Sequence, residues 1–294
     1  MKVIFIGAIQ LSAASLRVTI DCGIEVVGVC TLAVSKFNSD HQDLEPIARS
    51  SGIPCLQVDD INSPLTVSWI RDKKPDVIFC FGWSKLLEDE LLKLAPMGVV
   101  GYHPAFLPQN RGRHPLIWAL ALGLQETAST FFFMDDGADS GDILSQKKVS
   151  ILDHDTAFSL YGKISEAALG QIREFIPRLI NGSYERIKQN HSNANYWRKR
   201  GIKDGEIDWR MPAEGIYNLI RALSKPYGGA HFLHDEREVK VWDSLVTDLD
   251  NVENIEAGKV LSISEEGICI KCGVKCLTLK EFSPIEDLKE GFYL

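Results

Sequence analysis

The side chains best suited to proton transfer lie within residues 101–144. His103 directly follows a predicted buried strand, and Asp139 lies in an acid-rich turn over residues 135–142. Histidine and aspartate commonly act as general acids and bases, and open α/β sheets bind ligands beyond the carboxyl ends of their strands. Taken singly, His103 also fits an ordinary loop histidine and Asp139 an ordinary turn residue, because Asp and Gly dominate turns. The two form a candidate acid–base site if the surrounding elements bring them to one edge of a sheet.

Short β-rich runs alternate with amphipathic segments through the first hundred residues, which predicts a mostly parallel sheet covered by helices, an α/β, Rossmann-like domain. The predicted strands are residues 3–7, 25–30, 54–58, 76–81 and 98–102, and the predicted helices are residues 10–20, 43–51, 65–73 and 86–94. Two further strands, 129–134 and 143–149, have no helix between them, so we predict a hairpin. A long helix follows, with Asp155 as its predicted N-cap.

A second, smaller domain is predicted after this long helix. The first domain should span residues 1–182, and the polar stretch 183–206 is typical of a linker. Residues 207–294 contain one predicted helix and several short strands, which favours a small, mostly β, OB-like domain. The helix is predicted over 213–223 and the strands over 230–233, 239–242, 259–264, 267–272 and 274–282.

The composition excludes some functions. A formal net charge of -8 argues against a large nucleic-acid footprint, because phosphate binding depends on a Lys/Arg surplus. The densest basic cluster, Trp197-Arg198-Lys199-Arg200, is interpreted as a solvated linker, with a binding role as the alternative. No apolar run approaches the length of a membrane helix, and the N-terminal residues lack the features of a signal peptide. We therefore expect a cytoplasmic protein.

Two apparent binding motifs are weak. Gly7-Ala8-Ile9 follows the first strand but lacks the spacing of a dinucleotide-binding loop, which argues against NAD. Cys269, Cys272 and Cys276 superficially resemble a metal knuckle, although no fourth ligand lies close by in sequence. The stretch around them alternates apolar and polar residues as a hairpin would, so we predict that these cysteines pack in a core and that no metal is bound.

Two linked motifs carry a resemblance to a known family. Residues 103–108 read His-Pro-Ala-Phe-Leu-Pro, and residues 139–143 read Asp-Ser-Gly-Asp-Ile. At this separation they resemble the folate-dependent formyltransferases, and the C-terminal part is similar to that of the tRNA and sugar enzymes of the family. Closest in character are the sugar-nucleotide N-formyltransferases. This sequence departs from the family pattern at one position. Gly101 stands where the family has an asparagine whose side-chain amide orients the formyl oxygen. We expect a water, a backbone amide or a neighbouring side chain to replace its amide.

The resemblance implies roles for both candidate residues. Asp139 would accept the proton of the attacking amine, and His103 would stabilise the oxyanion and protonate the leaving nitrogen. The implied formyl donor is N10-formyltetrahydrofolate. For Phe81 and Trp83, packing at the sheet end is the alternative to folate binding. The residues that the resemblance places around the donor are Phe81, Gly82, Trp83, Ser84, Leu86, Asp135, Gly137, Ala138 and Asp142.

The acceptor is predicted to be a small-molecule amine. Arg111 and Arg113 echo an Arg-Gly-Arg of the sugar-nucleotide enzymes, where guanidinium groups can bind a carboxylate or pyrophosphate. Residues 34–45, where tRNA enzymes carry a basic loop, contain a single lysine and three acids. These features favour a nucleotide-linked amino sugar over another small amine or methionyl-tRNA. A folate-binding pseudoenzyme stays an alternative because of Gly101, and a homodimer stays open.

Overall fold

The computed structural model describes residues 1–34 and 40–294. The described chain forms seven α-helices and fourteen strands, together with two short 3-10 helices at His191–Asn193 and Ile202–Gly205. The helices are α1 (Gln10–Asp21), α2 (Glu45–Ser50), α3 (Pro64–Asp72), α4 (Asp89–Leu92), α5 (Pro115–Ala121), α6 (Ala157–Asn181) and α7 (Ala213–Ala222). The strands are β1 (Lys2–Ile6), β2 (Glu25–Thr31), β3 (Cys55–Gln57), β4 (Val77–Cys80), β5 (Val99–His103), β6 (Arg111–Gly112), β7 (Glu126–Phe133), β8 (Ile143–Ser150), β9 (Tyr196–Trp197), β10 (Ala230–His234), β11 (Arg237–Thr247), β12 (Val260–Ser264), β13 (Gly267–Lys271) and β14 (Cys276–Phe282).

The larger sheet has the strand order β3-β2-β1-β4-β5-β7-β8. Strands β1 to β5 pair in parallel, and β7 joins β5 antiparallel, with His103 opposite Thr130. This arrangement confirms the predicted α/β, mostly parallel fold. The carboxyl ends of β1, β4 and β5 lie at the same edge, which is where such sheets bind ligands.

Continuous apolar sequence explains the central strands. β1 and β4 are buried along nearly their whole length, as expected for parallel strands covered on both faces. Four aromatic side chains, Phe5, Phe79, Phe81 and Phe131, pack ring to ring at centroid distances of 5.0–5.5 Å. Phe175 of α6 closes this cluster against Phe79 and Phe131. The cluster packs the end of β4 into the core directly before residues 82–86.

Helix α6 begins later than the sequence suggests. The predicted N-cap, Asp155, instead accepts hydrogen bonds from the Leu152 backbone N–H and the Ser159 hydroxyl. Thr156 takes the capping position, since its hydroxyl accepts the Ser159 backbone N–H. The prediction of Asp155 as the N-cap was therefore wrong by one residue, because its carboxylate is used to fix the preceding turn.

The smaller sheet is antiparallel and has the order β10-β11-β14-β13-β12. Its buried face forms a core with one helix, α7, through residues such as Ile216, Ile220, Val241 and Leu277. The predicted mostly β C-terminal part is thus confirmed.

The chain separates into two compact units that are each discontinuous in sequence. One contains residues 1–112, 128–149 and 163–196, and the other contains residues 113–127, 150–162 and 197–294. The stretch predicted as a linker, 183–206, carries β9 and both 3-10 helices, and its residues up to Tyr196 belong to the unit with the larger sheet. The boundaries at residues 182 and 207 stay a prediction for independently folding domains.

The cysteines of the smaller sheet are core residues. Cys269, Cys272 and Cys276 are buried and free, and burial raises the pKa of Cys272 to about 12 and that of Cys276 to about 11. Among the described residues, no three or more His, Cys, Asp or Glu side chains are grouped so that they could hold a metal ion. None of the helices in the described part of the chain has the length and apolar content of a membrane span.

We predict that these three thiols resist a thiol reagent at neutral pH and react after unfolding, because the reactive thiolate form is suppressed by burial. Mass spectrometry of the labelled protein would locate the reacted thiols, with the partly exposed Cys22 as the internal reference. A chelator should leave the melting temperature unchanged. A chelator-induced drop would support the metal-knuckle alternative.

Candidate active site

His103 ends β5 and is 5% exposed. Its Nε2 lies 2.8 Å from the backbone carbonyl oxygen of Asn110. A carbonyl can only accept, so this contact assigns a proton to Nε2. The other ring nitrogen, Nδ1, lies 3.6 Å from Oδ2 of Asp139. The structure thus brings the two predicted catalytic residues together and leaves Nδ1 as the ring nitrogen that faces the carboxylate.

The Asp139 carboxylate is oriented by the backbone conformation of the residue and by a hydrogen bond from Gly112. Its φ of 55° lies in the left-handed region, which Asp tolerates better than most residues. Oδ2 accepts the backbone N–H of Gly112 at 2.9 Å, and the side chain is 20% exposed. The carboxylate is therefore oriented toward His103 and still reachable from solvent.

Residues 110–112 contact both members of the pair. The Asn110 carbonyl orients the imidazole, and the Gly112 amide orients the carboxylate. This short segment is itself fixed by Asn195, whose Oδ1 accepts the Asn110 N–H at 2.8 Å and whose carbonyl accepts the Arg111 N–H at 3.1 Å. The relative position of the two candidate catalytic side chains therefore depends on where this segment lies.

The two arginines predicted to bind the acceptor lie in different environments. Arg111 is 1% exposed, and its guanidinium donates to the Tyr196 hydroxyl at 2.8 Å and to Gln189 Oε1 at 2.6 Å. His191 Nδ1 lies 3.2 Å from the same guanidinium. Arg113 is exposed in the unit with the smaller sheet, and its backbone N–H donates to the Trp197 carbonyl at 3.0 Å. Arg111 is thus used within the protein, whereas Arg113 is exposed, and acceptor binding by either arginine stays a prediction.

The residues predicted around the folate near the end of β4 are not equally accessible. Phe81 is fully buried in the aromatic cluster, and its carbonyl accepts the Ser12 hydroxyl at 2.6 Å. Gly82 has a φ of 73°, and any Cβ there would lie 2.3 Å from Ile9. Trp83 is partly buried, and its Nε1 has no protein hydrogen-bond partner. Ser84 and Leu86 are exposed.

The acidic turn that contains Asp139 is ordered by its own side chains. Asp135 Oδ1 accepts the Gly137 backbone N–H at 3.1 Å and the Ser140 hydroxyl at 2.6 Å. The Asp142 carbonyl accepts the Phe133 N–H, and Gly137 and Ala138 are exposed. These contacts keep the turn compact at the end of β7.

The space beside Gly101 is filled by a side chain. A Cβ at this position would lie 2.7 Å from Cγ and 3.0 Å from the sulfur of Met134. Met134 therefore occupies the space next to Gly101, and which group takes over the role of the missing amide stays a prediction. A thioether is only a weak acceptor, so Met134 occupies this volume without supplying a donor.

Burial and charge shift the pKa of one titratable residue near the motifs and of one in the unit with the smaller sheet. Burial raises the pKa of Tyr102, whose hydroxyl contacts that of Ser129 at 3.1 Å. In the unit with the smaller sheet, the pKa of His114 is lowered. Burial is the largest cause, and the positive charges of Arg113, Arg200 and Lys199 add to it. Arg198 in the basic cluster pairs with Asp204, and both Arg198 and Arg200 lie over the Trp118 ring. The cluster is thus partly neutralised within its own unit.

Sequence reasoning missed the residues that support the pair. Gln189, Asn195 and Tyr196 lie in the stretch interpreted as a linker, because it is polar and lacks periodicity. Gln189 is nevertheless only 6% exposed. A buried glutamine in such a stretch leaves no pattern in the sequence, and the aromatic Tyr196-Trp197 pair was the only available signal.

Two family models match the chain. One, described as formyl transferase, matches residues 55–174, and a second, described as formyl transferase C-terminal domain, matches residues 202–288. The chain belongs to the formyl transferase family. The resemblance inferred from residues 103–108 and 139–143 is thereby confirmed, and both catalytic candidates of this formyl transferase lie within the first match. Gln189 and Asn195 lie between the two matched regions.

Solved structures share the fold of this formyl transferase at low identity. An N-formyltransferase from Helicobacter canadensis, in complex with folinic acid and dTDP-3-aminofucose, is 20% identical with a TM-score of 0.71, and the alignment covers 96% of this chain and 100% of that one. WlaRD, a sugar 3N-formyltransferase studied with dTDP and 5-N-formyl-THF, is 19% identical with a TM-score of 0.71, covering 95% and 97%. Methionyl-tRNA formyltransferase from Clostridium thermocellum is 18% identical with a TM-score of 0.60, covering 84% and 94%.

Proposed function

We propose that this formyl transferase moves a formyl group from N10-formyltetrahydrofolate to the amine of a nucleotide-linked amino sugar. The observation that carries the proposal is the His103–Asp139 pair at the carboxyl end of β5, with Nδ1 and Oδ2 3.6 Å apart. Family membership supports the reaction class, and the folate compounds and the dTDP-linked sugar in the similar structures support the choice of donor and acceptor.

The end of β4 offers a polar atom that suits a bound donor. Trp83 Nε1 is buried without a protein partner, and buried polar atoms are normally hydrogen-bonded in a native structure. A ligand with a carbonyl or ring-nitrogen acceptor beside Trp83 would satisfy this N–H. The folate, when bound, supplies an activated formyl carbon and a nitrogen that leaves from it.

The two catalytic side chains complete a proton cycle. As the acceptor's nitrogen bonds to the formyl carbon, Asp139 takes the proton that this nitrogen must lose. The Nε2–H of His103 is donated to Asn110, so the imidazole offers a second proton, on Nδ1, only in its protonated form. That Nδ1–H stabilises the negative charge on the formyl oxygen and then moves to the leaving nitrogen as its bond to carbon breaks. Asp139 returns its proton to Nδ1, which restores the starting state.

The choice of acceptor rests on charge and on accessible cations. The net charge of -8 disfavours tRNA, because a protein that binds a polyanion needs a basic surface. Arg113 is an exposed residue, and a guanidinium can bind a phosphate or carboxylate through charged hydrogen bonds. The predicted lack of a basic loop concerns residues 34–45, of which 35–39 lie outside the described residues, so that point rests on sequence alone.

Turnover with defined acceptors tests the proposal. Purified protein and N10-formyltetrahydrofolate would be incubated with dTDP-linked amino sugars, with the same amino sugars lacking the nucleotide, and with methionyl-tRNA. We expect a formylated product, identified by mass spectrometry, with the nucleotide-linked sugars alone. Preferential formylation of the tRNA or of the free amino sugar would contradict the acceptor assignment.

A folate-binding protein without turnover is the second candidate, and one observation favours it. Met134 fills the space at Gly101 without providing a hydrogen-bond donor. Loss of one donor to a developing oxyanion typically costs about 100- to 1,000-fold in rate. Tight folate binding in calorimetry, with no product from any acceptor in the panel, would support this candidate.

Arg113→Ala should raise the acceptor KM by about 10- to 100-fold and leave the folate KM unchanged, because it removes a charged hydrogen bond to the acceptor. Steady-state kinetics with each substrate varied in turn would measure both constants. Arg210→Ala, which removes an exposed arginine of the same unit, is the matched control. A raised folate KM with an unchanged acceptor KM would show that Arg113 contacts the donor instead.

A further inference from the structure

We propose that Gln189 is a positioning residue that holds Asp139 and His103 at their working separation. The inference rests on the proposed function, since that function assigns the two side chains their catalytic roles. Gln189 is buried, lies between the two regions matched by the family models, and bonds to the backbone carbonyl of Asp139. It acts through two sets of hydrogen bonds, one to the acidic turn and one to Arg111.

The side-chain amide nitrogen of Gln189 fixes the backbone of the acidic turn. Nε2 donates to the Asp139 carbonyl at 2.9 Å and to the Gly141 carbonyl at 2.7 Å. At Gly141 the turn is pressed against β7, because a Cβ there would lie 1.7 Å from the Phe133 carbonyl oxygen. The turn therefore has β7 on one side and Gln189 on the other, and this packing holds Asp139 in its left-handed conformation.

The side-chain oxygen of Gln189 fixes the segment that contacts the pair. Oε1 accepts a hydrogen bond from the Arg111 guanidinium at 2.6 Å. Arg111 stands between Asn110, whose carbonyl orients His103, and Gly112, whose amide orients Asp139. One buried side chain is thus bonded both to the turn that carries the carboxylate and to the segment that orients the two catalytic groups.

An amide is the side chain that this position requires. The guanidinium has only donors, and the two carbonyls only accept, so the residue between them must offer one acceptor and two donors. Glutamate would keep the acceptor toward Arg111 but lose both donors to the turn. Alanine would lose all three contacts. The two substitutions therefore separate the contact that holds Arg111 from the contacts that hold Asp139.

Kinetics of these variants test the proposal. Because a shift of about 1 Å in a reacting group can cost roughly a hundredfold in rate, Gln189→Ala should lower kcat by about 30- to 100-fold, with both KM values within about threefold of wild type. Gln189→Glu should lower kcat to a similar extent while melting closer to wild type, since it retains a charged pair with Arg111. The matched control is Gln171→Ala, which removes another buried glutamine of the same unit that donates to the Ser129 carbonyl and the Ser145 hydroxyl.

A double-mutant comparison separates positioning from stability. If Gln189 acts through Asp139, Gln189→Ala should cause less than a threefold further loss in an Asp139→Asn background, because residues that act as a unit are non-additive. A full additional loss in that background would overturn the proposal. The proposal would also be overturned if kcat decreased in step with the melting temperature across the three variants Gln189→Ala, Gln189→Glu and Gln171→Ala.

A spectroscopic measurement keeps the inference testable without turnover. In NMR of protein with nitrogen-15-labelled histidine, the His103 Nε2–H should be protected from exchange, with its signal identified by its loss in His103→Gln. We expect Gln189→Ala to abolish that protection and Gln171→Ala to preserve it. Preserved protection in Gln189→Ala would overturn the positioning role. If Gln189→Ala abolishes the protection but the wild-type protein transfers no formyl group, the result would support the positioning role and contradict the proposed function.

Discussion

Asp139→Asn should leave the protein folded and lower kcat for formyl transfer about a thousandfold, within the range that removal of a general base produces. The substitution is nearly isosteric, and asparagine also tolerates the φ of 55° at this position. Its side-chain oxygen can still accept the Gly112 N–H, so the orientation of the turn is kept. What the amide cannot do is take a proton from the attacking amine.

The measurement needs turnover and folding data from the same preparation. Circular dichroism and the melting temperature would establish the fold, and product formation from N10-formyltetrahydrofolate would give kcat. Asp72→Asn, an exposed substitution at the end of α3 in the same unit, is the control and should match wild type. A folded Asp139→Asn variant that keeps more than a tenth of the wild-type rate would remove Asp139 from the proton cycle.

The central sheet could be predicted because its strands are buried on both faces. β1 and β4 read as continuous apolar runs, and such runs are recognisable without any knowledge of their neighbours. His103 and Asp139 could be paired because each lies in a recognisable short motif. The structure places Nδ1 and Oδ2 3.6 Å apart, which no local pattern specifies.

The supporting residues could not be predicted because their contacts are long-range and polar. Gln189 lies 50 positions from Asp139 and 78 from Arg111 along the chain. The two arginines of Arg111-Gly112-Arg113 look equivalent in sequence, yet one is buried and the other exposed. Strand β6 is only two residues long, and His114, with a φ of 55°, redirects the chain directly after Arg113. Strand alternation therefore gives no guide to where either arginine points.

Gly101→Asn should lower kcat/KM about a hundredfold, because the new side chain enters space that Met134 already occupies and a shift of about 1 Å near a catalytic group can cost that much. A Cβ at residue 101 would lie 2.7 Å from Met134 Cγ. Gly101 and His103 are both on β5, paired with Phe132 and Thr130 of β7, so a shift between these strands reaches the imidazole. Overpacking of this kind also costs about 1–3 kcal/mol of stability.

Removing the obstructing side chain should reverse this loss. Met134→Ala combined with Gly101→Asn should recover most of the melting temperature and return kcat/KM to within about tenfold of wild type, because the asparagine then has room without moving β5. Gly98→Asn, before the start of the same strand, is the matched control. A Cβ there meets nothing within 4 Å, but the φ of 82° strains any side chain, so Gly98→Asn should lower the melting temperature and leave kcat/KM close to wild type.

The same pair of substitutions distinguishes a working enzyme from a folate-binding protein. If His103 Nδ1–H already stabilises the developing charge, a new amide at residue 101 adds little, and the double variant should not exceed the wild-type rate by much. If the natural site lacks an adequate donor, the new amide should raise the rate a hundredfold or more, since one such donor typically contributes about 3–4 kcal/mol. We expect the first result, because the Asn110 carbonyl and the Gly112 amide orient both His103 and Asp139 independently of residue 101.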